Sequence, residues 1–316
     1  MKLDERHLVQ LAAVVQAGGV TEAAALLGMT QPAVSRTIAM MEQRIGEPLF
    51  VKGRRPLQPT ALGQALASHG QTMLAASRKA SALVAGFQKG AFGVVRVGGS
   101  PFFSDALISG MIAEFQDRRP DVRVEQSYGY LGQLRAALDA DRIDIAICPI
   151  DVLKEGSGLR FDVVLPGRNV VACRTTHPLL MKRRLDPASL LDYPWVGPPE
   201  GSPLYADLNS LALSLGATEI KIRYSGGSLS SAINYLKSSD ALTVLPHSVV
   251  FAYRNERSIT ALPVRIPHPE RALGILQQSN ATRAPAVDAF VAHVTKRFKD
   301  LALLIERHEK AIVWGL

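Results

Sequence analysis

The sequence predicts an α/β protein with three parts: a small, all-α-dominated N-terminal domain, a long connecting helix and a larger pair of α/β lobes. Three observations predict it. Apolar residues recur at helical spacing through the first 45 residues. A four-and-three apolar spacing then runs from about residue 60 to residue 90, and from Gly93 short apolar runs alternate with amphipathic stretches. A chain of 316 residues is too long for one ordinary domain, and with 47% hydrophobic and 20% charged residues every part can bury a core.

Leu8, Leu11, Ala12 and Val15 follow the i, i+3, i+4, i+7 pattern of an amphipathic helix that Gly18-Gly19 closes. A second helix, roughly Thr21 to Leu27, turns Ala23, Ala24 and Leu27 inward and stops at Gly28. Thr30 suits an N-cap and Pro32 the first helical turn, where its missing N–H costs little. The third helix runs from about Gln31 to Ile45, with Ala33, Val34, Ile38, Met41 and Ile45 inward. Two short helices joined by a tight glycine turn have the spacing of a helix-turn-helix. The third helix exposes Gln31, Ser35 and Arg36. Gln can pair with adenine, Arg with guanine or phosphate, and Ser with either kind of edge. Lys52-Gly53-Arg54-Arg55-Pro56 is a hairpin-like basic turn, suited to the phosphate backbone or the minor groove. Charge agrees: residues 1–90 hold 10 Lys/Arg against 5 Asp/Glu, a net +5 of the chain's +8. Three-helix units also serve as plain interaction modules, and a basic face can simply be solvated, so these residues alone leave both readings open.

The run VTEAAALLGMTQPAVSRTIAMMEQRIGEPLFVKGRRPLQPTALG, residues 20–63, resembles the DNA-binding domain of the LysR-type transcriptional regulators. Ala23-Ala24-Ala25, Thr30-Gln31-Pro32-Ala33-Val34-Ser35, Glu42, Gly46, Leu49-Phe50 and Thr60-x-x-Gly63 stand in that family's order and spacing. The resemblance implies a winged helix-turn-helix over residues 1–59 and contacts to double-stranded DNA from Thr30, Gln31, Pro32, Ser35, Arg36, Lys52, Arg54 and Arg55. Two positions depart from the pattern. Gly19 stands where the family has a serine N-cap, and Lys52 where it has an arginine, keeping the charge without the bidentate fork.

Leu62, Leu66, His69, Met73, Ala76, Ala80, Leu83 and Phe87 form a seam over almost four heptads, which suits a helix pairing with its own copy. A helix packed on its own domain is the alternative. The resemblance implies a dimerising linker helix over residues 60–90, with Leu62, Leu66, Met73, Ala76, Leu83 and Phe87 in the contact. A homodimer would present two recognition helices to a pseudo-palindromic operator, and a homotetramer and RNA polymerase are further expected partners.

Beyond Gly93, Val94–Gly99 reads as a strand, Ile108, Met111, Ile112 and Phe115 as a helix face, and Val122 with Val124 as a second strand. Leu131, Leu134 and Leu138 mark another helix and Ile143–Cys148 a buried strand, an order that means a parallel sheet with helical crossovers. The order recurs: Val163–Cys173 and Trp195-Val196 read as strands, Leu208, Leu211, Ala212 and Leu215 as a helix face. Ile220–Tyr224 then reads as a strand, Ser230–Lys237 as a helix and Ala241–Leu245 as a strand. Two such units suggest two lobes with a ligand at the strand ends. Gly99-Ser100-Pro101 and Gly201-Ser202-Pro203 each end a strand before a helix, so serine hydroxyls and free N–H groups could hold a small anion. The alternative is that both serines only cap their helices. Tyr130, Pro149, Pro246 and His247 close three further strand ends, and Phe102 and Phe103 could supply apolar walls. The expected inducer is a small organic acid, with a neutral sugar as runner-up.

This part is also similar to the family's effector domain, through Arg96-Val97-Gly98, Asp144-Ile145-Ala146-Ile147, His177-Pro178-Leu179 and Leu245-Pro246. The resemblance implies a periplasmic-binding-protein-like domain over 91–300: lobe I at about 91–162 and 265–300, lobe II at about 163–264. Residues 301–316 add an apolar C-terminal tail with no family counterpart.

Other classes fit less well. Seven scattered histidines, no cysteine or histidine cluster at metal spacing, no nucleophile motif and no phosphate-binding glycine loop argue against an enzyme, a metal site or a cofactor. A solute-binding module would fit the lobes but not the basic N-terminal domain. A redox switch on Cys148 and Cys173 is a further alternative, although both fall in apolar strands. No secretory signal is visible, and no stretch of about 18 uncharged apolar residues exists, so the expected compartment is the cytoplasm, away from the membrane.

Overall fold

Asp4 opens the first helix: its carboxylate accepts the Arg6 N–H at 2.9 Å and caps α1 (Glu5–Ala17). The computed structural model describes residues 3–51, 53, 56–88, 93–150, 157–267, 271–279 and 283–314. The chain forms two compact units, one helical and one α/β.

In the helical unit α1, α2 (Val20–Leu27) and α3 (Gln31–Ile45) each end on a glycine, Gly18, Gly28 and Gly46, at φ of +69°, +62° and +82°. That left-handed region is one a side chain enters only at a cost. Ala23 and Ala24 are buried and small, so α2 can lie close to its neighbours, while Leu11, Val34, Met41, Leu49 and Phe50 fill the core. α4 (Ala61–Gln88) packs along α1, with Gly63, Ala67 and Gly70, spaced i, i+4, i+7, buried on one face of it. The α-carbons of Gly63 and Gly70 lie against the carbonyls of Leu49 and Leu8, with no room for a β-carbon. The residues expected in the seam divide within this chain. Leu66 and Met73 are partly buried against their own unit, while Leu62, 38% exposed, and Ala76 face outward. Small residues allow a backbone approach that leucine forbids, and Gly70 brings α4 against the Leu8 carbonyl of α1. The side chains of Leu83 and Phe87 lie outside the described residues.

The α/β unit begins with β1 (Gly93–Gly99), then α5 (Pro101–Phe103), which a π-helical stretch, Ser104–Ile108, joins to α6 (Ser109–Arg118). β2 (Val122–Tyr128), α7 (Leu131–Asp139) and β3 (Ile145–Ile150) complete a βαβαβ unit in which β1 pairs in parallel with both other strands. The chain continues through β4 (Leu159–Leu165), β5 (Asn169–Arg174), β6 (Trp195–Gly197), α8 (Pro203–Ser214), β7 (Ile222–Ser225) and α9 (Leu229–Lys237). It ends with β8 (Thr243–Pro246), α10 (His247–Ala252), β9 (Ile259–Ala261), β10 (Ala272–Gln278) and α11 (Pro285–Trp314).

The first lobe carries a five-stranded sheet in the order β2-β1-β3-β10-β4, with β10 antiparallel to both neighbours. The second lobe has an antiparallel β8-β5-β9 sheet and a parallel β6-β7 pair. Three expectations are corrected here. Val163–Cys173 is not one strand but the end of β4 and most of β5, in different sheets. Pro166 has no N–H for a ladder, and Gly167 lies where the chain meets the Arg271 carbonyl. The second lobe is not a parallel repeat of the first, because an apolar run does not encode strand direction. Residues 301–314 are not a separate tail but the last turns of α11, where Leu301, Ala302 and Ile305 pack on the main core. The His308 ring, 5.4 Å from that of Phe251, carries the helix on to α10. Among the described residues no helix is long and apolar enough to cross a membrane.

Candidate DNA-reading helix and effector cleft

The first turns of α3 are held out to solvent by a buried opposite face. Val34, Thr37, Ile38 and Met41 point inward, while Thr30, Gln31, Pro32 and Arg36 are exposed and Ser35 half-buried. Gln31 Nε2 lies 3.4 Å from Ser35 Oγ, a loose contact that a base edge could replace. Thr30 makes no side-chain cap bond, so its hydroxyl is not committed to the helix. Glu42 Oε1 accepts the Leu49 N–H at 2.7 Å, and Thr60 Oγ1 accepts the Gly63 N–H at 3.0 Å while donating to the Pro48 carbonyl at 2.9 Å. Those two side chains fix both ends of the loop between α3 and α4. Within it Val51 N–H donates to the Gln58 carbonyl at 2.9 Å, bringing Val51 and Gln58 face to face as in a hairpin. Lys52, Arg54 and Arg55, expected at the wing, lie outside the described residues.

The second site is a cleft in the α/β unit, with about 700 Å³ of space counting its open mouth. Nine of the ten residues expected there line it: Ser100, Pro101, Phe102, Phe103, Tyr130, Pro149, Ser202, Pro203 and Pro246. His247 does not, and Ser248, one residue on, does. His247 N–H donates to the Arg168 carbonyl at 2.8 Å. The two serines differ. Ser202 Oγ accepts the Tyr205 N–H at 3.2 Å and caps α8, whereas Ser100 makes no side-chain cap bond. Burial pushes the Tyr130 phenol above its ordinary pKa, and a hydrogen bond with Ser202 holds it part-way back.

Sequence reasoning missed the charged wall. Arg168, Asn169 and Arg271 line the cleft, contributed by the two chain crossovers between lobes. Arg271 Nη1 contacts both oxygens of Asp207 at 2.8 Å, and Asn169 Nδ2 donates to Asp207 Oδ2 at 2.6 Å. Asp207 is fully buried on α8. One signal was available: Asp207 is three residues after Leu204 and four before Leu211, on the apolar face of its helix. A buried carboxylate needs a cation, which the sequence does not locate.

Cys148 and Cys173 lie in β3 and β5, in different sheets, and burial pushes both thiols up to about 12. At neutral pH such thiols stay protonated and are poor nucleophiles, which disfavours the redox alternative.

Two family descriptions match the chain: bacterial regulatory helix-turn-helix protein, lysR family, over residues 6–64, and LysR substrate binding domain, over residues 88–299. The chain belongs to the LysR family. Among LysR-type relatives it is 27% identical over 291 residues to the SDS degradation transcriptional activation protein of a Pseudomonas species, covering 90% of this chain and 94% of that one. It is 25% identical over 259 residues to the HTH-type transcriptional regulator TdcA of Escherichia coli, covering 82% of each. In fold it is similar to a full-length OxyR variant from Pseudomonas aeruginosa, with a TM-score of 0.63, 17% identity and 95% of each chain covered. It is similar also to CbnR, solved in complex with its target DNA, with a TM-score of 0.62, 18% identity and coverage of 93% and 100%. As a LysR-family member the protein is a DNA-binding transcriptional regulator with a ligand-binding domain, and it is not an enzyme.

Proposed function

We propose that this regulator reads a pseudo-palindromic operator as a homodimer and answers to a small organic acid bound in the cleft. Thr30, Gln31, Pro32, Ser35 and Arg36 enter the major groove, and Lys52, Arg54 and Arg55 lie on phosphate or in the minor groove. The helix over residues 60–90 brings two copies together, dimers assemble further into a homotetramer, and the assembly works in the cytoplasm with RNA polymerase as a partner. The inducer acts through different affinity for two subunit arrangements, which changes the spacing or bend of the bound DNA.

The observation that carries the inducer reading is the cleft lining: uncommitted Ser100, apolar Phe102 and Phe103, and two arginines around one cavity. Arginine and hydroxyl donors beside an apolar wall suit an acid head group on a compact body. The DNA half is tested by selection on randomised operators. Gln31→Ala should lose about 1–3 kcal/mol of discrimination at one half-site position. Replacing Arg54 and Arg55 by Ala should weaken all sequences alike and flatten the salt dependence by up to roughly two units of slope. Unaltered base preference in the first variant would remove Gln31 from the interface. For the inducer half, a melting-temperature screen of carboxylates, sulfonates, aromatics and sugars against the full chain would refute an acid inducer if only sugars stabilised it.

A further inference from the structure

A second concavity lies in the second lobe and shares no lining residue with the cleft. It is a groove of about 870 Å³, counting its open mouth, between Leu211 and Leu215 at the end of α8 and the segment 263–267 that follows β9. Leu211 and Ile266 form a buried floor, with Leu215 and Val264 half-buried beside them. All four belong to the lobe's own apolar cluster, so packing fixes the floor. The rim is basic. Arg265 lines the groove and is exposed. Pro187 lines it too, and the exposed run Lys182-Arg183-Arg184 precedes that proline, with Arg184 within about 11 Å of it by chain length alone. Leu185, between the run and Pro187, packs on the same apolar cluster and ties the run to the lobe there. None of the four cations makes a side-chain hydrogen bond or ion pair among the described residues. Asp186 is the one carboxylate between the run and Pro187, and it accepts the Ala188 N–H at 3.1 Å. Counted with it, the rim keeps a net of three positive charges.

An apolar floor inside a charged rim is the build of a protein-binding surface. Backbone pairing with an added strand is blocked there in either register. Pro263 and Pro267 have no N–H, and the Val264 N–H already donates to the Leu262 carbonyl at 2.8 Å. Recognition is left to side chains: the floor matches an apolar stripe, and the rim matches carboxylates on either side of that stripe. We propose that the groove binds an acidic amphipathic helix of a partner protein. Its stripe lies on Leu211, Leu215, Val264 and Ile266, and its carboxylates face Arg265 and the 182–184 run. A nucleic acid fits less well, because a phosphate backbone makes no use of an apolar floor. A small ligand also fits less well, because Pro187, Pro263, Arg265 and Pro267 are exposed and leave it in water. The rim cations have no ion pair to break, so their attraction reaches an acidic partner at a distance and falls with salt.

The test is fluorescence anisotropy of the full chain with stapled helical peptides. One carries leucine at i, i+3, i+4 and i+7 with glutamate on the flanks. A second has lysine in place of glutamate, and a third keeps the composition of the first with its leucines moved off the stripe. Wild type should bind the glutamate peptide about tenfold more tightly than either control, and less tightly as salt rises. The combined variant Lys182→Ala, Arg183→Ala, Arg184→Ala and Arg265→Ala removes only exposed side chains without partners, so its circular dichroism should match wild type. It should bind the glutamate peptide about tenfold more weakly, with a flatter salt dependence. Undiminished binding by the variant overturns the proposal, as do controls bound as well as the glutamate peptide or no binding by wild type. A variant that keeps the peptide but loses operator affinity with a flatter salt slope shows that the cations serve DNA. One that keeps the peptide but is smaller in light scattering shows that they serve a second copy of this chain. Either result overturns the partner helix.

Discussion

Gly167 lies with its α-carbon against the carbonyl of Arg271, and no β-carbon fits between them. The two residues stand on the two crossovers that join the lobes, so the chain touches itself there backbone to backbone. In Gly167→Ala the added methyl meets a carbonyl that has no rotamer to retreat to. We expect a loss of about 1–3 kcal/mol in urea unfolding, as in other overpacked sites. A midpoint equal to wild type would show that the crossovers part without cost.

Ser100 and Ser202 should separate in a paired experiment. Ser202→Ala removes the cap on the Tyr205 N–H and should lower stability by about 0.5–2 kcal/mol. Ser100 caps nothing, so Ser100→Ala should leave the melting temperature in place and weaken the inducer by about 1–3 kcal/mol in titration calorimetry. A melting loss in Ser100→Ala equal to that of Ser202→Ala would make both serines structural.

His177 sets an acid limit. Its Nδ1 accepts the Leu179 N–H at 3.1 Å and its Nε2 lies 3.1 Å from the Asp240 carbonyl, so the ring is held neutral with its proton on Nε2. Burial lowers its pKa below 6.5, with Arg174 adding in the same direction and Asp240 opposing. His293, 3.1 Å from the Met111 carbonyl, is shifted the same way, again mainly by burial. Below pH 6.5 the unfolded chain therefore binds protons that the folded chain refuses. Stability should be full above that pH and fall as pH drops through it toward the lowered folded value. Urea midpoints between pH 8 and pH 5 should show the decline, and His177→Gln should make it shallower. An identical slope in the variant would clear His177 of the effect.

Ala76 is the cleanest probe of the linker helix, because it is exposed while Leu66 and Met73 also serve the helical unit's own core. Ala76→Asp places a charge in the proposed seam without touching that core. Light scattering should report a smaller species, with the far-ultraviolet circular dichroism unchanged. A dimer of undiminished stability would put the two-fold contact elsewhere.

The helical unit was legible because its signals are local. Gly18, Gly28 and Gly46 close helices, Pro32 opens one, and Ala23 and Ala24 sit at helical spacing. The cleft was legible as far as strand ends and helix starts could be read, which delivered Ser100, Tyr130, Ser202 and Pro246. Arg271 was not. It precedes β10, which returns to the first lobe 107 residues after β4 ends at Leu165, and its partner Asp207 is 64 residues distant. The linker was legible as a long helix from its spacing, while Gly70, invisible to an apolar count, lets α4 meet the Leu8 carbonyl of α1, and Gly63 lets it meet that of Leu49.

The place of β10 between β3 and β4 also sets an order of assembly on the ribosome. β3 and β4 are synthesised by Leu165, yet the strand that joins them ends only at Gln278, while β5 to β9 all lie within 169–261. At about 5–20 residues per second the gap lasts roughly 6–23 s. The later-made lobe can therefore close first, and the earlier one waits with two unpaired strand edges open to other nascent chains. A cell that makes this regulator quickly on clustered ribosomes must shield those edges, so its yield should depend on chaperone supply more than on the stability of the finished fold.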